Sequence, residues 1–70
     1  MVKPKELVRA LGKLGFNLIR KSRGSRWQFE HPDGRRTTVP MHKGVDIGPG
    51  LLRKILRDIE IDVEELEKYL

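Results

Sequence analysis

Seventy residues suffice for one small domain, so residues 1–70 are expected to fold as a single unit. The chain has no cysteine, which excludes disulfides and thiolate metal sites, and no apolar run approaches the ~20 residues of a membrane span. Residues 1–50 carry 11 basic and 4 acidic side chains, a net charge of +7, whereas residues 51–70 carry −2. Such an asymmetry is typical of proteins that bind polyanions, and a solvated basic surface is the alternative explanation.

The first part of the chain predicts a helix followed by a strand. Pro4 suits a first helical turn, and the apolar residues after it recur at helical spacing, so a helix is expected from about Pro4 to Leu14. Its apolar stripe consists of Leu7, Val8, Leu11 and Leu14. Gly15 can end this helix in the left-handed conformation. Residues 16–21, which include three large apolar side chains, then predict a first strand.

Two turn sequences divide the next segment into strands. Residues 22–25, Ser-Arg-Gly-Ser, favour one turn, and residues 32–34, Pro-Asp-Gly, favour a second. Between them, residues 27–30 alternate apolar and polar side chains, which is typical of a half-buried strand. Residues 35–39 predict a third strand that ends at Pro40. The expected result is a three-stranded antiparallel meander.

The last third of the chain predicts a loop and two helices. Residues 43–50 hold three glycines and a proline and favour a loop, and residues 51–59 show a second apolar helical stripe. Asp62 can cap a short third helix, and Glu65 completes an acidic variant of the capping box. The predicted fold class is α+β: an α-β-β-β-α two-layer sandwich whose helices cover one face of the sheet. The other face is left open to a partner or an RNA.

Basic side chains around the two predicted turns are the main binding candidates. The candidates for RNA binding are Lys21, Arg23, Gly24, Ser25, Arg26, Arg35 and Arg36. Three cations converge on the first turn, where a glycine lets the backbone approach a phosphate and a serine can donate a hydrogen bond. An ordinary solvated turn is the alternative there. The two arginines of the opposite hairpin have a second explanation, which is the protection of a strand edge by charge.

Other candidates have a structural explanation beside the functional one. Trp27 has the aromatic surface on which RNA modules stack a base, but its spacing to Phe29 favours the buried face of the sheet. Arg53, Lys54 and Arg57 lie off the apolar stripe of the second predicted helix. These three cations either bind phosphates of a nucleic-acid backbone or form a solvated helix face.

The two histidines are candidates for proton transfer, because the pKa of histidine lies near neutrality. His42 follows the third predicted strand, where a loop can bring it close to the first turn, and it either supplies a base or orients that loop. His31 precedes the Pro-Asp-Gly turn and is expected to be a locally hydrogen-bonded turn residue. Neither histidine has a cysteine or carboxylate partner at metal-ligand spacing, so no metal site is predicted.

Several of these segments together resemble the HicA family, the toxins of bacterial and archaeal toxin–antitoxin pairs. The resemblance covers about residues 8–61. Its motifs, in the family's order, are Gly15-Phe16, Gly24-Ser25, His31-Pro32-Asp33-Gly34-Arg35, Val39-Pro40-Met41-His42 and Gly50-Leu51-Leu52-Arg53-Lys54-Ile55-Leu56. It implies a fold similar to the double-stranded RNA-binding domain and an endoribonuclease (mRNA interferase) activity that cleaves messenger RNA and blocks translation. It also implies no metal or organic cofactor, and a partner antitoxin, HicB, that covers the active site.

One position departs from the family pattern. At the second strand the family has Gly-Ser-His, whose histidine is catalytic, whereas this chain has Gly24-Ser25-Arg26. Arginine stays protonated and cannot act as a general base, yet it can bind a phosphate and stabilise developing negative charge. Three explanations stay open: an inactivated toxin, a natural relative that only binds, or a second residue such as His42 that supplies the base.

Two functions are therefore possible for this fold. The first is a toxin ribonuclease of the HicA type, impaired or not at Arg26, and the second is a non-catalytic module that binds RNA or a partner. A DNA-binding domain fits less well, because no helix has a densely basic face or helix-turn-helix spacing. Residues 60–67 are largely acidic and are expected to avoid RNA, facing solvent or helping to hold the antitoxin. The lack of cysteine and of a signal-peptide pattern favours a cytoplasmic location.

Overall fold

A computed structural model describes residues 2–70 of the chain. Its elements are α1 (Pro4–Lys13), β1 (Asn17–Ser22), β2 (Arg26–Glu30), β3 (Arg36–Pro40), α2 (Pro49–Ile59) and α3 (Val63–Glu67), with a 3-10 turn at Arg23–Ser25. The strands form one antiparallel sheet in the order β1-β2-β3. The predicted α-β-β-β-α order and the α+β class are therefore confirmed. Within residues 2–70, every helix is too short or too polar to cross a membrane.

The end of α1 is fixed by the glycine cap that the sequence predicts. Gly15 has a φ of 94°, and its N–H donates to the carbonyl of Gly12 at 3.1 Å. The N–H of Phe16 donates to the carbonyl of Leu11 at 2.9 Å, which completes a Schellman motif. Leu14 is the capping residue rather than part of the helix. Because the cap uses the N–H of Phe16, β1 begins one residue later than the sequence predicted.

A side chain from the β2–β3 hairpin constrains the same glycine. A Cβ on Gly15 would lie 2.9 Å from Nε2 of His31.

We expect Gly15→Ala to lower the free energy of unfolding by about 1–2 kcal/mol, because alanine must adopt the left-handed conformation and displace the imidazole ring. As a control, Gly12→Ala should raise it by about 0.5–1 kcal/mol, since a Cβ there meets nothing within 4 Å. Urea denaturation measures both, and equal effects would contradict the assigned cap.

The hydrophobic core lies between the helices and one face of the sheet. Phe29 of β2 and Val39 of β3 face the helices and are no more than 3% exposed. They pack with the apolar stripes of the helices, Leu7, Ala10, Leu11, Ile55, Ile59 and Leu66. Burial of each large aliphatic side chain contributes about 1.5–3 kcal/mol. Thr37 is also buried on this face, and its hydroxyl donates to the carboxylate of Asp58 on α2 at 3.0 Å, so this buried hydroxyl has a hydrogen-bond partner.

The other face of the sheet is open, and β1 is its least covered strand. All residues of β1 except Ser22 are exposed, including Leu18 at 42% and Ile19 at 51%. The pairing with β2 shifts between Leu18 and Arg20, so Ile19 lies at a bulge. This bulge explains why the apolar alternation of the first strand is imperfect in the sequence.

The two C-terminal helices differ from the prediction at their first turns. α2 begins two residues earlier than predicted, because Pro49 fits the first turn of a helix. Backbone N–H groups in a first turn have no acceptor within the helix, so the N–H that proline lacks is not needed there. The helix ends at Ile59, and the capping residue after it, Glu60, has a left-handed φ of 58°. Asp62 caps α3 as predicted, accepting from the N–H of Glu65 at 2.8 Å. Within residues 2–70 the reciprocal bond of the capping box is absent, since the Glu65 carboxylate accepts from Lys68 Nζ at 3.3 Å instead.

Candidate functional site

One end of the sheet gathers most of the basic candidates. At this end β1 finishes at Ser22, β2 begins at Arg26 and β3 finishes at Pro40, and these three positions are paired across the strands. We call it the basic end. The cations at or beside it are Lys21, Arg23, Arg26 and, in the β3–α2 loop, Lys43. The structure thus brings together the three cations that flank the first predicted turn.

The turn between β1 and β2 has two successive left-handed residues. Gly24 has a φ of 69° and Ser25 a φ of 61°. Glycine adopts this conformation freely, whereas a serine in it costs about 1–3 kcal/mol. Ser25 is held in place because its carbonyl accepts the N–H of Met41 at 2.7 Å. A Cβ on Gly24 would meet nothing within 4 Å, so the backbone of the turn is open on its outer side.

Arg26 lies on the open face of the sheet. It stands opposite Ser22, and Nε2 of Gln28 donates to the hydroxyl of Ser22 at 3.2 Å, which places these side chains on one side. The register also places Arg20 opposite Gln28, on the same face. Sequence reasoning missed Arg20, because the bulge in β1 breaks the alternation that would have assigned its face. Across residues 2–70, no hydrogen bond or ion pair engages the guanidinium groups of Arg20, Arg23 or Arg26.

Lys21 faces the other side of the sheet. It stands opposite Trp27, and its Nζ lies 4.2 Å from the centroid of the indole ring. A cation–π contact of this kind is worth about 0.5–1 kcal/mol at an exposed site. Trp27 is half-buried and packs against the core, so the interpretation that favoured the buried face is confirmed. Lys21 and Arg26 therefore place positive charge on opposite faces of the basic end.

His42 lies in the β3–α2 loop, next to the turn. The preceding residue, Met41, donates its N–H to the carbonyl of Ser25 at 2.7 Å. The side chain of His42 is exposed. This position is compatible with both interpretations of His42, proton transfer and loop orientation. In the described part of the chain, no group of three or more His, Asp or Glu side chains is placed to hold a metal ion.

Arg35 and Arg36 lie at the opposite end of the sheet, and carboxylates neutralise both. Nε of Arg36 donates to Glu30 at 2.8 Å. Nε of Arg35 donates to Asp33 at 2.9 Å, and its Nη1 donates to the carbonyl of Ile59 at the end of α2. A strand of five residues spans about 15 Å, which separates these arginines from the basic end. Arg35 therefore ties the β2–β3 hairpin to the second layer of the fold.

His31 and Asp33 belong to the same hairpin turn. The N–H of Asp33 donates to Nδ1 of His31 at 3.1 Å, and the imidazole meets the ring of Phe16 edge-on, with centroids 5.1 Å apart. The expectation of a locally hydrogen-bonded turn residue is confirmed. The backbone N–H of Arg35, reinforced by its guanidinium, lowers the pKa of the Asp33 carboxyl from its ordinary value of 3.8.

The cations of α2 lie on the covered side of the sheet, where α2 packs against β3. Arg53 and Arg57 are exposed on the outer surface of the helix. Nζ of Lys54 donates to Asp58 at 3.0 Å, a pair of a type worth about 0.3–0.5 kcal/mol. None of these three side chains shares the open face with Arg26, so the geometry favours the solvated-face explanation for them.

We expect Asp33→Asn to lower the melting temperature at neutral pH, because it removes the carboxylate that accepts from Arg35. The pKa of Asp33 is lower in the folded chain than in the unfolded chain. Its stabilising effect is therefore complete above the unfolded pKa and is lost as the pH falls through the folded pKa. Thermal unfolding should show the gap between the two proteins closing below about pH 4.

Asp46→Asn is the matched control for this measurement. The carboxylate of Asp46 makes no hydrogen bond or ion pair within residues 2–70, so the variant should follow the original chain at each pH. A gap for Asp33→Asn that is the same at pH 7 and in acid would contradict the role given to its charge.

The fold and the basic end define a small α+β domain that concentrates unpaired cations at one end of a half-open sheet. The chain matches the family model described as HicA toxin of bacterial toxin-antitoxin over residues 4–61. It belongs to the HicA toxin family. This membership makes it the toxin of a toxin–antitoxin system and implies an antitoxin partner. Comparison with curated proteins gives no match.

Proposed function

We propose that this toxin acts on RNA, that the basic end is its phosphate-binding surface, and that its catalysis is impaired at Arg26. The observation that carries the proposal is the two guanidinium groups of Arg23 and Arg26, which have no partner within residues 2–70 and lie beside the open turn at Gly24. Guanidinium is permanently charged and matches the geometry of phosphate oxygens. The glycine leaves room for a phosphate to approach the backbone.

The proposed reaction is cleavage of RNA by its own 2′-hydroxyl. That hydroxyl attacks the adjacent phosphorus as a base removes its proton, and the 5′ oxygen of the next nucleotide leaves as an acid protonates it. Arg23 and Arg26 can stabilise the extra negative charge on the phosphorane. Arg26 cannot exchange the protons, because a guanidinium stays protonated at neutral pH. Loss of general acid–base catalysis costs about 10²–10⁴-fold in rate, so we expect RNA binding with slow cleavage.

His42 is the imidazole side chain of this region, and imidazole is the group that most often serves as a general acid or base in enzymes. Its neighbour Met41 is hydrogen-bonded to Ser25, and His42 itself lines a cleft beside the turn, which supports a place for His42 near a phosphate bound at the basic end. The second candidate function is a module that binds RNA or a partner without cleaving RNA. The permanent charge of Arg26 favours this candidate, and the family membership favours the ribonuclease.

We expect Arg26→His to raise the rate of cleavage of a single-stranded RNA by about 10²–10⁴-fold, because it restores a group that titrates near neutral pH. Initial rates are measured on gels in the presence of EDTA. A 2′-O-methyl RNA of the same sequence is the control, and it should stay intact with both proteins because it has no free 2′-hydroxyl.

Other results would change the assignment. Equal cleavage by the original chain and by Arg26→His, abolished in both by His42→Ala, would make His42 the base and overturn the role of residue 26. Binding without cleavage by all of these proteins would establish the non-catalytic module instead.

Salt dependence tests where the phosphates bind. With about 4–6 neutralised phosphates, the slope of log affinity against log salt is expected near −3 to −4 on a single strand. Arg26→Ala should reduce its magnitude by about 0.7, the effect of one phosphate contact. Arg36→Ala is the control and should leave the slope unchanged, because Arg36 is paired with Glu30 at the opposite end. Fluorescence anisotropy with a 2′-O-methyl RNA gives both slopes, and an equal reduction would contradict the basic end as the binding surface.

The antitoxin is proposed to be a HicB-like protein that covers the basic end. A concentration of unpaired cations attracts an acidic protein surface by the same electrostatics that attract RNA. An antitoxin bound there would block the access of RNA to the turn and would neutralise the positive charge of the turn. We propose that the pair acts in the cytoplasm, where messenger RNA is translated.

A further inference from the structure

A cleft adjoins the basic end on the helix-covered side of the sheet. Its volume is about 600 Å³, within the range of roughly 300–1,000 Å³ that small-molecule sites occupy. Trp27, Met41 and Val45 supply apolar lining. The start of α1 and the β3–α2 loop form the remainder of its wall. An aromatic ring and a thioether together make a lining that accepts flat, polarisable groups.

The surroundings of the cleft are cationic. The charged side chains that line it are three lysines, Lys3, Lys5 and Lys43, and one carboxylate, that of Asp46. Beside the cleft, the ammonium group of Lys21 lies over the Trp27 ring, 4.2 Å from its centroid. None of these lysines forms an ion pair within residues 2–70. A cleft with an aromatic wall and a cationic rim is complementary to a nucleotide, because the base is flat and apolar on its faces while the phosphate is anionic.

The cleft and the phosphate-binding turn lie on opposite faces of the same sheet end. Arg26 and Trp27 are consecutive residues of β2, so their side chains point to opposite faces. A nucleic acid that contacts both must bend around the end of the sheet. A single strand is flexible enough to do so, and its bases are unstacked and available. A regular duplex offers neither property.

We propose that this cleft is a nucleobase subsite, in which one unpaired base of single-stranded RNA packs against Trp27 while the lysines hold the flanking phosphates. The proposal rests on the proposed function, that the toxin acts on RNA. It adds a contact that phosphate binding does not require. A base seated in the cleft fixes the position of the strand relative to Arg26, and so determines which phosphate lies at the turn.

Two hexanucleotides of equal charge test the subsite. One is a 2′-O-methyl RNA of mixed sequence, and the other has the same backbone without bases. Anisotropy reports the binding of each, and emission from Trp27 reports the cleft, because the chain has 1 tryptophan. We expect the hexamer with bases to bind roughly 5- to 100-fold more tightly and to change the Trp27 emission, as base–aromatic stacking does elsewhere. The hexamer without bases should bind weakly and leave the emission nearly unchanged.

Variants at exposed positions avoid disturbing the core. Val45 is 57% exposed at the cleft, and Val45→Asp places a carboxylate there, which should remove most of the preference for bases. Val63 is 46% exposed on α3, and Val63→Asp is the matched control, which should retain the preference. Loss of the preference in both variants would overturn the assignment of the cleft.

The outcomes separate this inference from the function on which it rests. Equal, salt-dependent binding of both hexamers with unchanged Trp27 emission would overturn the subsite and leave the RNA-binding function in place. No binding of either hexamer would overturn the function, and the subsite with it. A Trp27 emission that responds to the antitoxin but not to RNA would also overturn the subsite and make the cleft a protein interface.

Discussion

The sheet is buried on one side only, and most other features of the molecule follow from this constraint. Three strands and two principal helices give a chain of 70 residues enough apolar surface for one interface. Phe29 and Val39 use that interface, together with Leu11 and Ile55 from the two helices. The second face must then be polar, and β1, at the edge, is exposed along nearly its whole length. Such a fold presents charged side chains on a rigid open surface without any further structural device.

The charges are arranged differently at the two ends of the sheet. At the β2–β3 hairpin each arginine has a carboxylate partner, and Arg35 also reaches the end of α2, where the helix dipole favours a cation. At the other end, Arg23 and Arg26 have no such partner within residues 2–70. Exposed ion pairs contribute only about 0–1 kcal/mol, so folding does not require either arrangement. Like charges repel one another, so their concentration beside a strained serine does not stabilise the fold, and on the proposed function it serves to bind phosphate.

The sequence predicted those features that depend on local chemistry. Gly15, the Pro-Asp-Gly turn and the cap at Asp62 each act within a few residues along the chain, and all three are found in the structure. Features that depend on pairing between strands were not predictable in the same way. The bulge at Ile19 decides the face of Arg20, and only the register with β2 reveals it. Likewise, the contact of Arg35 with the end of α2 joins residues 24 positions apart.

The same distinction applies to residue 26. The spacing of cations around Gly24 indicated a cluster, but the division of Lys21 and Arg26 between two faces depends on the register. On the proposed function, the identity of residue 26 also has a physical consequence. An arginine at position 26 holds its charge at every physiological pH, whereas a histidine would hold it only in part. On that proposal, arginine rather than histidine at this position strengthens the field that attracts phosphate at the turn and supplies no proton transfer there. With arginine at this position, the toxin is expected on the proposed function to keep its contacts with RNA and with an acidic antitoxin surface, because both depend on charge and neither depends on catalysis.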